Sequence, residues 1–477
     1  MRGRTTIPLL SLVAFHLVAA GALIAIWHSQ SRNTPTGDEP HYLVIADSIA
    51  RYQSLEVTRA YESELETHRM YAPGLVPPGK LPRSKDKHER VGPNGSFSIH
   101  NLGLPLLILP ALELRGPMGV RLFMLLVSSL VPVIAWISAG FFIESVPLRW
   151  LVALASAFSA QFQYYAGQIY PDLLGGIAFG VVAIILIRKW ILRDNMGTAS
   201  TIAIVLLAFM PWVHIRFIAP AAVCLAAMFL IQPPRRSQNR TLMAASISIA
   251  VGLLVLLGLY NKYAFDQFAG PYPSDALEFS KGTVMAMVGI HLDQFEGIFL
   301  EAPILLAAVL GMAALMRRDW RVGIFLLMLH ASFVVPTAMH YPDWYGGGSP
   351  AGRFGLAAAV VLLIPATCGL AMLAKRFPKA VTGFCGLHIL LQGCFWLRYG
   401  PMHFNLYSAG TFGKLVPLNN YRSLYSPFQN FLPAFYRLDL VLTHWPNYVA
   451  LALVSSLAIA GWRMAGTQAP FSTTASE

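Results

Sequence analysis

The chain has 477 residues, of which 56% are hydrophobic and only 12% are charged. Soluble domains carry about 25% charged residues, so this composition excludes an ordinary soluble protein. The net charge is +12, and the excess of basic over acidic residues lies in the short loops between apolar segments and at the chain ends. This pattern is typical of membrane topology, and we therefore expect no nucleic-acid partner.

Apolar segments of roughly 20 residues, the length that crosses a bilayer, recur along the whole chain. We predict about twelve spanning helices and thus an all-α polytopic membrane protein. The first segment is longer than the core of a secretory signal, and we expect it to stay as a span. In chain order, the predicted spans are 7–27, 118–142, 150–168, 171–190, 198–213, 216–231, 241–261, 297–316, 321–338, 353–374, 379–396 and 447–464.

The basic residues predict the orientation of these helices. If the N-terminus is cytoplasmic, the cytoplasmic segments hold 16 of the 35 Lys and Arg residues but 4 of the 23 Asp and Glu residues. The whole net charge then lies on one side, as the positive-inside rule requires. We therefore expect a multi-pass protein of the cell (inner) membrane with a cytoplasmic N-terminus.

This topology places two long loops outside the cytoplasm. In the first, 28–117, the stretch 38–52 has an apolar helical face, which predicts a helix that lies along the interface. The stretch 100–116 is apolar but too short to span, so we expect a second interfacial or re-entrant segment. The polar stretch 62–90 is predicted to be a loop. We divide the chain into a transmembrane catalytic region (1–396), a second extracytoplasmic loop (397–446), and a last helix with a cytoplasmic tail (447–477).

Polar motifs far apart in the sequence all map to the extracytoplasmic face. We predict that they form one site, because the opposite face carries basic loops instead. The motifs are "GDEPHYL" (37–43), "QIYPDLLGG" (168–176), "PWVHIRF" (211–217), "HLDQFEGI" (291–298) and "YPDWYGGGSPAGRF" (341–354).

Asp38 and Glu39 form an acidic pair at the start of the first loop. Neighbouring carboxylates raise one another's pKa, and such a carboxylate can take the proton of an attacking hydroxyl. The alternative is helix initiation, with Asp38 as cap and Pro40 in the first turn. Capping requires only one acid, so it does not account for the pair.

Arg353 lies where neither the helix dipole nor the positive-inside rule favours a cation. A glycine-rich approach to a helix start is also a common phosphate site, and we expect Ser349 to cap this helix. An anion next to Arg353 would resolve both objections, and Asp343 is the alternative partner. Asp172, after Pro171, is either part of the site or an acid that favours a helix dipole.

The remaining candidates have structural alternatives of their own. They are Arg216 and His214 in an outward turn, His41 and His100 as phosphate or hydrogen-bond partners, Asp293 at a helix start, and Tyr345 as interface anchor or substrate contact. The sequence contains no HExxH, P-loop or GxGxxG motif and no spacing typical of metal ligands. We assign no metal ligands and no cofactor.

These motifs resemble those of the C-type glycosyltransferases (GT-C), which use polyprenyl-phosphate sugars and include protein O-mannosyltransferases and lipid A aminoarabinose transferases. Bacterial members typically have "GDEPHYL" after the first span, "YPE" after the third, "LLFDxEFGLL" before the eighth and "WxGGxSxGxR" later. Here the corresponding stretches are "GDEPHYL", "IYPDLL", "HLDQFEGIF" and "WYGGGSPAGR". The resemblance extends from the first span to about residue 375.

The resemblance implies an inverting transfer of a sugar from a polyprenyl-phosphate donor to a glycan, lipid or protein acceptor. It implies Asp38 as catalytic base with Glu39 beside it, and Arg353 as a contact of the donor or its phosphate. Two other functions stay open. One is a twelve-helix secondary transporter, although such proteins have ionisable residues inside their spans. The other is a non-catalytic membrane protein with a GT-C-like fold.

Overall fold

A computed structural model describes most of the chain. The described residues are 2–30, 35, 37–67, 69–70, 87–191, 197–230, 240–272, 277–340, 344, 349, 352–400, 426–435 and 438–466.

Helices account for almost all regular structure in these ranges. The α-helices are α1 (Arg2–Ser29), α2 (Glu39–Tyr52), α3 (Thr58–Thr67), α4 (Gly103–Ser128), α5 (Leu130–Gly140), α6 (Val146–Ala157), α7 (Ala160–Tyr165), α8 (Pro171–Ile191), α9 (Gly197–Val213), α10 (Ile218–Leu230), α11 (Arg240–Phe265), α12 (Lys281–Leu292), α13 (Ile298–Glu301), α14 (Ala307–Arg318), α15 (Trp320–Met339), α16 (Leu356–Arg376), α17 (Pro378–Tyr399), α18 (Leu438–Val441) and α19 (Trp445–Ala465). Short 3-10 helices cover Ile215–Phe217, Pro303–Leu306, Arg353–Gly355 and Ser426–Phe431.

Each predicted span coincides with helical structure, but the count of twelve is not confirmed. In the described ranges, eight segments are long and apolar enough to cross a membrane. Three other predicted spans form shorter apolar helices, Val146–Ala157, Thr198–Val213 and Ile215–Phe229. The predicted span 297–316 is interrupted by the 3-10 turn at Pro303, so its α-helix α14 has only 12 residues.

The segment 100–116, expected to be interfacial or re-entrant, is continuous with the next span. Helix α4 begins at Gly103 and bends at Arg115 and Gly116, whose backbone angles are not helical. A short helix before the bend is thereby joined to the spanning part that follows. Pro117 comes directly after the bend, where its fixed φ and missing N–H favour the start of a new helical segment.

The first loop contains a β-hairpin that an all-α fold does not include. Strands β1 (Glu89–Gly92) and β2 (Gly95–Ser98) pair antiparallel, with Glu89 opposite Ser98 and Gly92 opposite Gly95. The two-residue turn Pro93–Asn94 connects them, and proline, asparagine and glycine are typical turn residues. The predicted loop 62–90 therefore begins inside helix α3 and ends in strand β1, so the prediction is wrong at both ends.

Helix α16 occupies the centre of the helical bundle. All residues from Leu356 to Met372 are buried, and the helix packs against α5, α8 and α14. Such an all-round apolar helix is typical of a protein interior. Because α16 follows directly on the turn at Arg353, the central packing of the bundle fixes the position of that arginine.

Candidate active site

Asp38 directly precedes α2, but its side chain does not cap the helix. The residue occupies the N-cap position with helical backbone angles, and its carboxylate makes no capping hydrogen bond. Gly37, just before it, has a φ of 57°, a left-handed conformation that residues with a Cβ rarely adopt. This turn leaves the carboxylate 23% exposed and paired with an arginine.

That arginine is Arg353, which is 5% exposed and contacts two carboxylates. Its Nη2 is 2.6 Å from Asp38 Oδ2, and its Nε donates a hydrogen bond of 3.2 Å to Asp172 Oδ2. The guanidinium also lies over the ring of Tyr170, with Cζ 4.0 Å from the centroid. The anions expected next to Arg353 are therefore supplied by the protein itself.

Arg353 is held in place by the peptide group that precedes it. Gly352 has a φ of 74°; its N–H donates to Glu296 Oε2 at 2.6 Å, and its carbonyl accepts from Gln161 Nε2 at 2.7 Å. The helix begins at Arg353 with Gly352 in the N-cap position, so the expected cap at Ser349 is wrong. A Cβ at 352 would meet Gln161 Nε2 at 2.6 Å, and the positive φ also favours glycine there.

Asp172 connects Arg353 to a second arginine. The buried Asp172 accepts from Arg353 through Oδ2 and forms an ion pair with Arg216 through Oδ1. Arg216 is 15% exposed, and its guanidinium lies 4.8 Å from the ring centroid of Phe354. We call these four charged residues, Asp38, Asp172, Arg216 and Arg353, the carboxylate–arginine cluster; two acids balance two bases.

His214 lies in the turn between α9 and α10 and holds the backbone of Arg216. Its Nδ1 accepts the N–H of Arg216 at 3.3 Å and so caps the 3-10 helix Ile215–Phe217. Burial and the neighbouring Arg216 hold the pKa of His214 well below its usual value, so the imidazole is neutral. This neutral form is the one that accepts a hydrogen bond at Nδ1.

Three histidines lie on the other side of Asp38. His88 Nδ1 and His100 Nε2 are 3.7 and 3.9 Å from Asp38 Oδ1 and 2.9 Å from each other. The ring of His41 stacks on that of His88 with a centroid distance of 3.7 Å, and its Nδ1 bonds the Tyr61 hydroxyl at 2.7 Å. Asp38 therefore lies between an arginine pair and a histidine group.

The charges around Asp38 decide its protonation. Burial raises the pKa of its carboxyl, but the Arg353 guanidinium outweighs this effect and holds the pKa well below its usual value. Burial lowers the pKa of His100 to about 4, against the opposing effect of Asp38. At neutral pH, Asp38 is therefore an anion and His100 is neutral.

Glu39 has a different environment from its neighbour. Its buried carboxylate pairs with the buried Arg121 guanidinium at 3.1 and 3.3 Å, and it accepts the N–H of Ile169 at 2.7 Å. Arg121 also donates to the carbonyl of Gly167 at 2.9 Å. We call this the Glu39–Arg121 pair. It fastens α2 to α4 and to the turn before α8.

Comparison with known proteins identifies the fold that carries this cluster. No protein-family profile and no curated protein match the chain. The crystal structure of apo ArnT from Cupriavidus metallidurans matches over 96% of this chain and 74% of ArnT, with a TM-score of 0.52 and 13% identity. ArnT bound to undecaprenyl phosphate matches over 96% and 75%, with a TM-score of 0.50 and 13% identity.

The chain has the fold of ArnT. This confirms, at the level of fold, the resemblance to GT-C proteins that the motifs predicted. At 13% identity the likeness to ArnT extends to the fold and leaves the role of each side chain to this chain's own geometry.

Within this ArnT fold, two predicted residues remain, Asp293 and Tyr345. Asp293 ends α12, and its two oxygens accept the N–H groups of Phe295 at 2.8 Å and Phe435 at 2.6 Å. It therefore holds the segment 433–435 against the end of α12. Tyr345 lies outside the described residues.

Sequence reasoning missed two residues that the ArnT fold brings to the acidic pair. Arg121 had a usable signal, since an arginine inside an apolar span requires a buried partner. His88 had none beyond its residue type, because it lies in a polar stretch and reaches Asp38 through the hairpin. Among the described residues, Asp38, His88 and His100 also place one donor atom each within 4.8 Å of one another, a set that could hold a metal ion.

Proposed function

We propose that this protein is a membrane glycosyltransferase that moves a sugar from a polyprenyl-phosphate donor to an acceptor, with inversion at the sugar carbon. The observation that carries the proposal is the 2.6 Å contact between Asp38 and Arg353 within a cluster of two acids and two arginines. It pairs a carboxylate that can accept a proton with cations that can stabilise a departing phosphate.

The fold supports a lipid-phosphate donor. ArnT from Cupriavidus metallidurans has been crystallised with undecaprenyl phosphate, and this chain shares its fold over 96% of its length. Arg353 has five N–H donors, and its bonds to Asp38 and Asp172 use two of them. Further N–H groups of Arg353 and Arg216 are therefore expected to bind the phosphate oxygens.

In the proposed reaction, Asp38 accepts the proton of the acceptor hydroxyl while the oxygen of that hydroxyl forms a bond to the sugar carbon. The bond from that carbon to the phosphate oxygen breaks, and its electron pair leaves with the polyprenyl phosphate. Arg353 and Arg216 stabilise the charge that develops on this oxygen. Positioning of the nucleophile and stabilisation of the leaving group together supply most of the rate.

The donor itself is expected to activate Asp38. Without donor, Arg353 holds the pKa of Asp38 far below the value suited to a general base. A phosphate that binds Arg353 draws the guanidinium away from the carboxylate and cancels part of its positive charge. The pKa of Asp38 then rises, so the base gains strength once the donor is bound.

Glu39 is proposed to position Asp38. Its carboxylate is fixed by Arg121 and by the N–H of Ile169. These two contacts anchor the first turn of α2. The Asp38 side chain is therefore presented from a rigid backbone, which a proton acceptor requires.

The protein is proposed to be in the cell (inner) membrane with the site on the extracytoplasmic face. Helix α1 separates the basic residues Arg2 and Arg4 from Asp38 by a candidate span, Thr6–Ser29. With Arg2 and Arg4 in the cytoplasm, the carboxylate–arginine cluster faces the other compartment. Glycans, lipids and proteins that carry a free hydroxyl or amine are the proposed acceptors there.

The decisive experiment is turnover of a polyprenyl-phosphate sugar by purified protein, with release of polyprenyl phosphate measured by mass spectrometry. The Asp38→Asn variant is expected to lose about 100- to 10,000-fold in turnover, the contribution of a general base. Asp319→Asn is the matched control. Asp319 also occupies an N-cap position, at the start of α15, where its side chain accepts two backbone N–H groups, and Asn caps equally well.

Equal turnover by wild type and Asp38→Asn would remove Asp38 as the base. Absence of turnover in the wild type with all donors tested, together with transport of a solute in proteoliposomes, would favour the secondary transporter. A protein that binds the lipid phosphate without turnover would instead be the non-catalytic member of this fold.

A further inference from the structure

The ring of Phe354 lies beside both arginines of the carboxylate–arginine cluster. Its centroid is 4.8 Å from Cζ of Arg216 and 5.3 Å from Cζ of Arg353. Each arginine also lies near a second ring: Arg353 Cζ is 4.0 Å from the centroid of Tyr170, and Arg216 Cζ is 5.8 Å from that of Phe217. All four distances are within the range of about 6 Å in which an aromatic ring attracts a cation. Of these three rings, Phe354 is the one that the two arginines share.

The shared ring joins two separate parts of the fold. Arg353 and Phe354 are consecutive residues of the 3-10 turn that precedes α16, whereas Arg216 belongs to the 3-10 turn between α9 and α10. Consecutive side chains of a 3-10 helix point about 120° apart, so Phe354 leaves the backbone in a different direction from Arg353 and reaches Arg216. Because α16 is the buried centre of the bundle, the position of this ring is set by the helix that also fixes Arg353.

The two guanidinium groups need a partner that keeps them together. Both are largely buried, and Asp172 contacts Arg216 through Oδ1 and Arg353 through Oδ2. Positive charges repel one another more strongly at such burial than in water. A carboxylate overcomes this repulsion, but it also cancels one of the two charges. An aromatic ring attracts a cation through its quadrupole and carries no net charge, so Phe354 can hold both arginines without reducing the charge available to an anion.

The ring contacts also do not depend on the carboxylate that is proposed to lose its arginine. When the donor phosphate binds, Arg353 is expected to turn away from Asp38, and the ion pairs of the cluster rearrange. The attraction between a ring and a cation requires no specific hydrogen bond. Phe354 can therefore keep Arg353 beside Arg216 while the hydrogen bonds of the cluster change.

We propose that Phe354 is a positioning residue that holds Arg216 and Arg353 side by side for one phosphate group, that of the polyprenyl-phosphate donor. It acts through the two arginines and not by contact with the reacting atoms. The identity of the anion rests on the proposed function, whereas the contact of one ring with two cations does not. Arginine suits this arrangement, because its planar guanidinium stacks on aromatic rings and presents several N–H donors to a phosphate.

Binding of undecaprenyl phosphate to the full-length protein in nanodiscs tests this role without any sugar transfer. Phe354→Leu keeps an apolar side chain but removes both ring contacts, and it is expected to raise the Kd about five- to thirtyfold, the effect of two partly buried contacts of this kind. Phe354→Tyr keeps the ring and is expected to bind like wild type. Phe325→Leu is the matched control and should also bind like wild type, because the ring of Phe325 packs on that of Trp190 at a centroid distance of 5.1 Å.

A graded replacement of the ring separates its charge distribution from its size. Phenylalanines with one, two or three ring fluorines are introduced at position 354. Each fluorine withdraws negative charge from the face of the ring with little change in its shape, so the Kd is expected to rise with each fluorine. A ring that only fills space would give the same Kd throughout. The series also decides the question where Phe354→Leu folds poorly.

Arg216 supplies a second check through a double-mutant cycle. In the Arg216→Gln background, Phe354→Leu has lost one of its two cations and is expected to raise the Kd by a smaller factor than in wild type. The difference between the two factors measures the coupling of positions 216 and 354.

The proposal is overturned if wild-type protein does not bind undecaprenyl phosphate or if fluorination leaves the Kd unchanged. It is also overturned if Phe354→Leu has the same effect with and without Arg216, or if Phe325→Leu weakens binding as much. Turnover is measured separately. The expected fluorine series in a protein that transfers no sugar would contradict the proposed function and leave the role of Phe354 standing, whereas normal turnover with a flat series would do the opposite.

Discussion

The carboxylate–arginine cluster and the Glu39–Arg121 pair begin at adjacent residues but are built differently. Asp38 is 23% exposed, and its partner Arg353 also contacts Asp172. Glu39 is fully buried, and Arg121 is paired with it through both oxygens. One carboxylate is partly exposed and shares its cation, whereas the other is buried with a cation of its own.

The two neighbouring residues therefore differ in role: Asp38 is suited to binding, and Glu39 is suited to holding the helices together. A buried ion pair is costly to break and contributes little that a well-packed apolar pair would not. A partly exposed pair in a neutral, shared network can reorganise around an incoming anion. Exposure and sharing of partners therefore distinguish the two acids better than their position in the motif does.

The largest effect on stability is expected from the buried pair. Arg121→Met leaves the Glu39 carboxylate buried without its cation and should lower the free energy of unfolding by about 3–5 kcal/mol, measured by denaturation in mixed micelles. The control is Arg51→Met, because Arg51 is 40% exposed and lies 3.6 Å from Asp47 on α2; its loss should be below about 1 kcal/mol. Equal losses would contradict the comparison.

The second expected effect is on turnover. Arg353→Gln removes the cation shared by Asp38 and Asp172 and should lower kcat/KM by about 100- to 1,000-fold, the range found when one transition-state donor is removed. Arg149→Gln is the control, since Arg149 also lies over a ring, 3.9 Å from that of Trp136. Arg353→Gln with full turnover would show that this arginine does not contact the phosphate.

A smaller effect is expected at Gly37, where the left-handed turn orients Asp38. Gly37→Ala should cost about 1–2 kcal/mol, because a Cβ is disfavoured at this backbone conformation. Thermal unfolding of purified protein measures the loss. Gly37→Asn should cost less than Ala, since Asn is enriched in this region of backbone space. If Ala and Asn destabilise equally, the cause is not the backbone angle.

The smallest effect is expected when the buried pair is replaced as a whole. Glu39→Leu combined with Arg121→Met removes both charges together and should change the free energy of unfolding by less than about 1 kcal/mol relative to wild type. The double variant should therefore be more stable than Arg121→Met alone. A double variant as unstable as the single one would show that Glu39 acts through its bond to Ile169 instead.

Among the described residues, the apolar lengths in the sequence located the long apolar helices but not the number that span, and they missed the short helices α3, α12 and α18. The predicted span 150–168 is in fact α6 and α7, which break near Ser159, and 297–316 breaks at Pro303. Both segments remain apolar because they are buried inside the bundle. Composition does not distinguish a helix that faces lipid from one that faces protein.

In the site, residues that conflict with their local context were predictable, and their partners were not. Arg353 stood out because both the helix dipole and the charge rule disfavour it, and Asp38 because capping does not require a pair. Which acid pairs with which arginine depends on contacts over more than 100 positions, such as Asp172 with Arg353. No local pattern encodes such a pairing, so Glu39 and Asp38 were indistinguishable.

The hairpin of the first loop is fastened to the end of α11. Asn94 donates to the carbonyl of Tyr263 at 2.7 Å, and Phe97 packs on Ala264 and Phe265. Much of α11 is exposed on the outside of the bundle, where acyl chains would surround it. The end of this lipid-facing helix therefore supports the hairpin that carries His88 and His100 to Asp38.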